Sequence, residues 1–197
     1  QPHSVVSIFA SGERFKNAVI YPRKKKIELG DAFSITTAFK GGLSSRAGYM
    51  VKETKELPAD VRDYLERVAI PYYAAIVCWL ENVKIGMTGG EMYKMIETVL
   101  PKEKYGWSLN PGHLVSDEEW MSSPIYPNSD TVLQSGMIFQ VDIIPSVPNY
   151  AGSSAETGIA LANAELREEI AKKFPDLWAR IEKRRKYIEE ELNIKLH

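Results

Sequence analysis

The order of sequence patterns along the chain predicts an α+β fold built on an antiparallel sheet. Residues 4–9 and 32–39 have the composition of strands, and strand-like sequence returns at positions 131–144. Between them, apolar residues recur every three or four positions from 61 to 83, which is typical of an amphipathic helix packed on a core. A strand-rich start, two helices, further strands and a final helix together indicate this class.

The strand-like stretch 32–39, AFSITTAF, is predicted to form a hairpin with the residues that follow it. Its side chains alternate between two faces, with Phe33, Ile35, Thr37 and Phe39 on one of them. Gly41 and Gly42 then predict a turn into the segment 43–53.

Two further helices follow from capping and breaking residues. Thr88 and Glu91 have the spacing of a capping box, which predicts that the second helix begins at Thr88 and runs towards Pro101. The last helical segment covers residues 164–192, with an interruption near Pro175.

The strand pattern at 131–144 places an acid on the face opposite the most apolar one. Met137, Phe139, Val141 and Ile143 share the apolar face, whereas Gln140 and Asp142 lie on the other with Ile138 and Ile144. In the next segment, AETGIALA, Glu156 shares a face with Gly158 and Ala160. These small neighbours leave room beside the carboxylate.

Composition limits the classes of partner. The 197 residues are 44% hydrophobic and 26% charged with a formal net charge of −1, so no overall field attracts nucleic acid or a membrane surface. No apolar run approaches the ~20 residues that span a bilayer. The single cysteine, Cys78, is typical of a reducing compartment, and we predict a cytoplasmic location. Because the chain starts at Gln1, we expect it to be a piece of a longer protein.

Three residues have the chemistry of a binding or catalytic site: His113, Asp142 and Glu156. Neutral imidazole and carboxylates are common ligands of divalent metals. An acid within an apolar strand either faces a cavity with a partner or costs several kcal/mol in desolvation. Spacing alone leaves the alternative open that both acids are solvated and that His113 only forms a hydrogen bond in a loop.

Several successive motifs resemble those of the creatinase, aminopeptidase P and methionine aminopeptidase family, which has the pita-bread fold. They are VSIFASGERFKNAV, LGDAFSITTAF followed by GGLSSR, GWSLNPGHLVS, SDTVLQSGMIFQVDIIP and ETGIAL. The resemblance covers residues 5–162 and implies a single domain over 1–197, with 163–197 as a helical extension. It also implies a curved antiparallel sheet and the absence of the family's first helical segment.

The peptidase branches of that family bind two metals through two aspartates, one histidine and two glutamates. By motif, His113 matches the histidine, and Asp142 and Glu156 match the two glutamates. The first aspartate falls on Thr36, and the second falls on Ser45 or Arg46. The resemblance therefore implies one divalent metal (Mn, Co or Zn) on His113, Asp142 and Glu156, or none, because two metals need a bridging carboxylate.

Creatinase, a metal-free member, suggests a second interpretation. There, acids matching Asp142 and Glu156 hold a guanidinium group, and His113 would have to serve as the proton-transfer residue. Trp120 aligns with a catalytic-side histidine of the peptidases. It is therefore predicted either to line the pocket and stack on a planar or cationic ligand, or to be ordinary packing.

The function expected from these residues is hydrolysis of a C–N bond in a small amide, amidine or peptide-like substrate. The alternative is a catalytically inactive pita-bread domain that serves as a binding module. The resemblance also implies a homodimer.

Overall fold

The structure of the protein, a computed structural model, describes residues 3–16, 21–39, 42–108, 110–115 and 122–197. It consists of two antiparallel sheets and five α-helices within these ranges. The predicted α+β class with antiparallel pairing is confirmed.

The first sheet has four strands in the order β1-β2-β3-β6. The strands are β1 (His3–Ser11), β2 (Ala32–Phe39), β3 (Gly42–Tyr49) and β6 (Ser154–Ala155). The predicted hairpin is confirmed, since β2 and β3 pair along their whole length with Thr36 opposite Ser45. A short 3₁₀ helix, Gly12–Lys16, follows β1.

The second sheet has three strands in the order β4-β5-β7. They are β4 (His113–Leu114), β5 (Ile138–Val141) and β7 (Thr157–Ala160). Residues 154–160 connect the sheets, because β6 pairs with β3 of the first and β7 pairs with β5 of the second. Glu156 lies between β6 and β7, where the two sheets meet.

The first long helix, α1 (Ile70–Asn82), differs from its prediction at its beginning. The pattern predicted one helix from Val61, but 3₁₀ turns at Thr54–Glu56 and Ala59–Val61 and a π-helical turn at Leu65–Ala69 precede α1. Pro71 lies in the first turn of α1 and has no amide hydrogen, so it cannot complete a preceding α-helical turn.

The four remaining helices are α2 (Gly89–Val99), α3 (Lys102–Tyr105), α4 (Ala164–Lys173) and α5 (Pro175–Glu190). Of these, α2, α4 and α5 lie where the sequence predicts helices, whereas α3 was not predicted. The capping box is present, since the Glu91 amide donates to Oγ1 of Thr88 and the Thr88 amide donates to a carboxylate oxygen of Glu91. The break between α4 and α5 occurs at Pro175, as predicted.

The main hydrophobic core lies between the second sheet and helices α1 and α2. The largest side chains that are fully buried in this core are those of Trp79, Trp107, Tyr72 and Phe139. The C-terminal extension contributes Ile188 and Ile194 to the same core. A second cluster beside the first sheet contains only Leu57, Tyr64 and Val68 as buried members in the described ranges. Among the residues that the structure describes, none of the helices has both the length and the hydrophobicity of a membrane span.

Candidate functional site

His113 is held inside the protein by the turn that precedes it. The Trp79 indole donates to the carbonyl of Pro111 (2.7 Å), and Gly112 has φ +134°, a conformation that favours glycine. The His113 side chain is 3% exposed. Its Nδ1 lies 2.9 Å from the carbonyl oxygen of Leu114, and its Nε2 lies 3.5 Å from Oδ2 of Asp142.

Asp142 directly follows β5 and is buried beside His113. Its Oδ2 faces the imidazole, whereas Oδ1 is buried without a hydrogen-bond partner among the residues that the structure describes. Leaving a buried carboxylate oxygen unsatisfied costs free energy on the order of 1–3 kcal/mol or more. Such an atom is suited to bind a donor or cation from a ligand.

Glu156 is the second buried acid, with 5% of its surface exposed. Its Oε2 accepts from Nε2 of Gln140 (3.2 Å), and its Oε1 accepts from Oγ of Ser154 (3.1 Å). Burial, and next the charge of Asp142, raise the pKa of Glu156 to about 7, although hydrogen bonds from Gln140, Ser154 and Ser45 act in the opposite direction. The two acids are therefore close enough to influence each other's charge.

The first sheet contributes hydroxyl groups to the site. Oγ1 of Thr36 and Oγ of Ser45 are 3.0 Å apart, and Ser45 also hydrogen-bonds Glu156. Arg46 instead donates to the main-chain carbonyls of Ser45 (2.6 Å) and Glu156 (3.0 Å). Of the two residues left open for the second aspartate position, Ser45 is thus the one whose side chain reaches the acids.

Two residues near the acids were not predicted as part of the site. The Ala155 amide donates to the hydroxyl of Tyr72 (2.7 Å), and burial together with the charges of Glu156 and Asp142 raises the pKa of Tyr72. The sequence pattern placed Tyr72 only in the core-facing stripe of a helix. Gln140 could have been found, because it shares a strand face with Asp142.

The side chains do not fit a two-metal centre. Positions 36 and 45 carry neutral hydroxyls, and neutral oxygens cannot replace bridging carboxylates between two divalent ions. Within the described part of the chain, no three His, Cys, Asp or Glu side chains form a group that could hold a metal ion. The predicted single-metal set of His113, Asp142 and Glu156 is not confirmed. Trp120 lies outside the described residues, so its predicted stacking role stays a prediction.

Comparison with known proteins gives matches in structure. No family model and no curated protein matches the sequence. Among solved structures, the chain is similar to an Xaa-Pro dipeptidase from Bacillus anthracis, with a TM-score of 0.65, 24% identity and 81% of this chain covered. It is also similar to an X-Pro aminopeptidase from Thermotoga maritima, with a TM-score of 0.64, 20% identity and 82% of this chain covered. A prolidase from Pyrococcus furiosus matches with a TM-score of 0.60, 23% identity and 82% of this chain covered.

The match extends over only part of these relatives. The chain covers 44% of the dipeptidase, 45% of the aminopeptidase and 47% of the prolidase, so it spans less than half the length of each. At 20–24% identity these similarities establish the fold and not the reaction. The chain therefore has the pita-bread fold, which it shares with Xaa-Pro dipeptidases, X-Pro aminopeptidases and prolidases.

Proposed function

We propose that this domain belongs to a hydrolase that cleaves a C–N bond in a small amide, amidine or peptide-like substrate. Asp142 and Glu156 would bind a cationic group of that substrate, and no two-metal centre would be needed. The observation that carries the proposal is the buried Oδ1 of Asp142, which has no hydrogen-bond partner among the described residues. The peptidase fold of the structural relatives supports the reaction class.

The geometry suits a planar cation with several N–H groups. Guanidinium and amidinium donate parallel hydrogen bonds to carboxylates, and such charge-assisted bonds are roughly twice as strong as neutral ones. Asp142 offers Oδ1, and the raised pKa of Glu156 means that a bound cation would also favour its ionised form. A bound cation would therefore donate a hydrogen bond to Oδ1 of Asp142 and would also reduce the electrostatic repulsion between the two carboxylates.

In this proposal His113 is the proton-transfer group. When Nδ1 donates to the Leu114 carbonyl, the neutral ring carries its lone pair on Nε2, the atom on the side of Asp142. In the proposed step the ring takes a proton at Nε2 from the attacking water and then donates it to the leaving nitrogen as the C–N bond breaks, and the Asp142 carboxylate stabilises the intermediate imidazolium. This is the chemistry that protonation of a leaving amine requires.

A catalytically inactive binding module is the second candidate. It is favoured by the hydrogen bond between Thr36 and Ser45, which gives these two positions a local partner in place of a metal. The module would bind the same cation through the same acids but would not turn over a substrate.

Calorimetric titration of the full chain with methylguanidinium tests the binding step. Tetramethylammonium is the matched ligand control, because it has the same charge but no N–H donor. We expect Asp142→Asn to weaken methylguanidinium binding about tenfold or more, since it removes a charge-assisted bond. Asp130→Asn changes an exposed acid and should have no effect.

The outcomes separate the candidates. Equal binding by wild type and Asp142→Asn, or no binding by wild type, would contradict the proposal. Stoichiometric binding of Mn²⁺, Co²⁺ or Zn²⁺ that is lost in Glu156→Ala would establish a single-metal site instead. Cation binding without release of amine from a panel of amides, amidines and Xaa-Pro dipeptides would favour the binding module.

The proposed assembly and location rest on the sequence alone. The homodimer is inferred from the resemblance of the motifs, and the cytoplasmic location from the single cysteine. Sedimentation equilibrium of the full chain measures the oligomeric state, and microscopy of a tagged protein measures the location in the cell.

A further inference from the structure

A cavity of about 320 Å³ lies outside the candidate site. The last turn of α1, strand β7, helices α4 and α5 and the last residues of the chain surround it. Its walls are mainly apolar and include Leu80, Leu161, Ile170, Trp178, Ile188 and Leu196. None of His113, Asp142 and Glu156 belongs to its described lining, so the cavity is distinct from the candidate site.

The charged side chains around this cavity are mostly cationic. The lining contains Lys84, Arg167, Arg184 and Arg185, with Glu182 as the carboxylate among the described residues. An excess of positive charge beside an apolar cavity attracts a negatively charged ligand and not a neutral one.

Two of the arginines converge on one acceptor atom. Nη2 of Arg167 and Nη1 of Arg185 lie 3.5 Å and 3.4 Å from a main-chain oxygen of His197, the last residue of the sequence. Arg167 also donates through Nε to the carbonyl of Ala162 (3.0 Å), and Arg185 pairs with Glu189 (3.5 Å). Each guanidinium has five N–H donors and uses only two of them in these contacts, so the pair can accommodate a further oxygen acceptor. Arg184 is engaged differently, because it donates to the carbonyl of Gly158 (3.1 Å) and to Oγ1 of Thr157.

We propose that this cavity binds a small carboxylic acid with an apolar chain, as a free molecule. The chain would lie against Ile170, Trp178 and Leu196, and the carboxylate would bind Arg167 and Arg185. The volume is within the lower range of known small-molecule sites, which are mostly apolar with a few polar groups that fix orientation. Arginine is the residue suited to such a task, because its planar fork matches a carboxylate.

Titration of the full chain with decanoate, below the concentration at which it forms micelles, tests this site. We expect one decanoate per chain and binding about tenfold or more weaker in Arg185→Gln. Arg180→Gln is the control, because Arg180 lies on the same helix, is exposed and does not line the cavity. Methyl decanoate lacks the charge and butyrate lacks most of the chain, so both should bind much more weakly.

A second variant tests the apolar part independently of the arginines. Ala160 lines the cavity and is exposed, so Ala160→Phe adds bulk to the cavity without entering the core. It should abolish decanoate binding while the circular dichroism spectrum stays that of the wild type. Absence of decanoate binding to wild type, unchanged binding in Arg185→Gln, or equal affinity for decanoate and its methyl ester would each overturn the proposal.

Discussion

The two sheets of this protein differ in how they are covered and in the chemistry they carry. The second sheet packs against α1 and α2 around Trp79, Trp107 and Phe139, whereas the cluster beside the first sheet has three buried members in the described ranges. The second sheet also carries His113 and leads into Asp142, while the first presents the hydroxyls of Thr36 and Ser45.

This difference is the reason why the described side chains do not fit a two-metal centre. A pair of divalent ions needs negative charge from both sides. Among the described residues of the site, the acids lie on the side of the second sheet and at the junction, and not on the first sheet. The strand segment 154–160 joins the two sheets, so Glu156 receives hydrogen bonds from both, from Gln140 on β5 and from Ser45 on β3. The chain thus has the pita-bread fold, but the negative charge of its site comes from the second sheet and the junction, while the first sheet contributes neutral hydroxyl groups.

The largest expected effect compares the packing of the two sheets. Trp79→Ala removes a fully buried ring that contacts Phe139 and donates to Pro111, so we expect the free energy of unfolding to fall by about 3–5 kcal/mol. Phe33→Ala in β2 removes a half-buried ring whose edge-to-face partner is Phe9, and should lower it by only about 1–2 kcal/mol. Urea denaturation measures both. Equal losses would contradict the proposed difference in packing.

The second prediction concerns the acid at the junction. The pKa of Glu156 is raised from 4.5 to about 7, so between these values the folded protein keeps a proton that the unfolded chain has released. Stability from this group is therefore present at low pH and is lost as pH rises towards and through about 7. Glu156→Gln stays neutral, and above pH 7 it should be more stable than wild type by about 1–3 kcal/mol.

Urea denaturation at about pH 5 and about pH 8 measures this effect. The advantage of Glu156→Gln should be small at the lower pH and full at the higher one. Glu168→Gln, at an exposed position of α4, is the matched control and should follow wild type at both. A variant less stable than wild type at high pH would show that the ionised carboxylate is stabilised by the fold.

The smallest expected effect tests whether the hydroxyl groups of the first sheet change the pKa of Glu156 at the junction of the two sheets. Ser45→Ala removes a hydrogen bond that lowers the pKa of Glu156, so the carboxyl should titrate at higher pH in this variant. Thr36→Val removes only the partner of Ser45 and should shift the titration less. Carbon NMR of the Glu156 carboxyl measures both, and each variant should lose about 0.5–1.5 kcal/mol of stability. Equal shifts of the Glu156 pKa in the two variants would contradict the prediction that Ser45 acts on the carboxyl directly and Thr36 only through Ser45.

Local sequence predicted most of the elements because their signals are local. The alternation in 32–39, the capping box at Thr88 and the proline at 175 each act within a few residues, and each element was found where predicted. The predicted start of the first long helix was wrong, because the spacing of apolar residues is similar in an α-helix and in the irregular turns that precede α1. Only the backbone around Pro71 distinguishes the two.

The sequence by itself determined the fold class and the strand face on which Asp142 and Glu156 lie, since period-two patterning puts an acid on a defined face. It left open whether that face is buried, and the tertiary structure shows that both acids are buried. The tertiary structure decided their partners. Contacts between Tyr72 and Ala155, or between Glu156 and both Gln140 and Ser45, join residues far apart in the chain. The same holds for the cavity beside α5. Such contacts depend on how sheets and helices pack together, and no local spacing encodes that geometry.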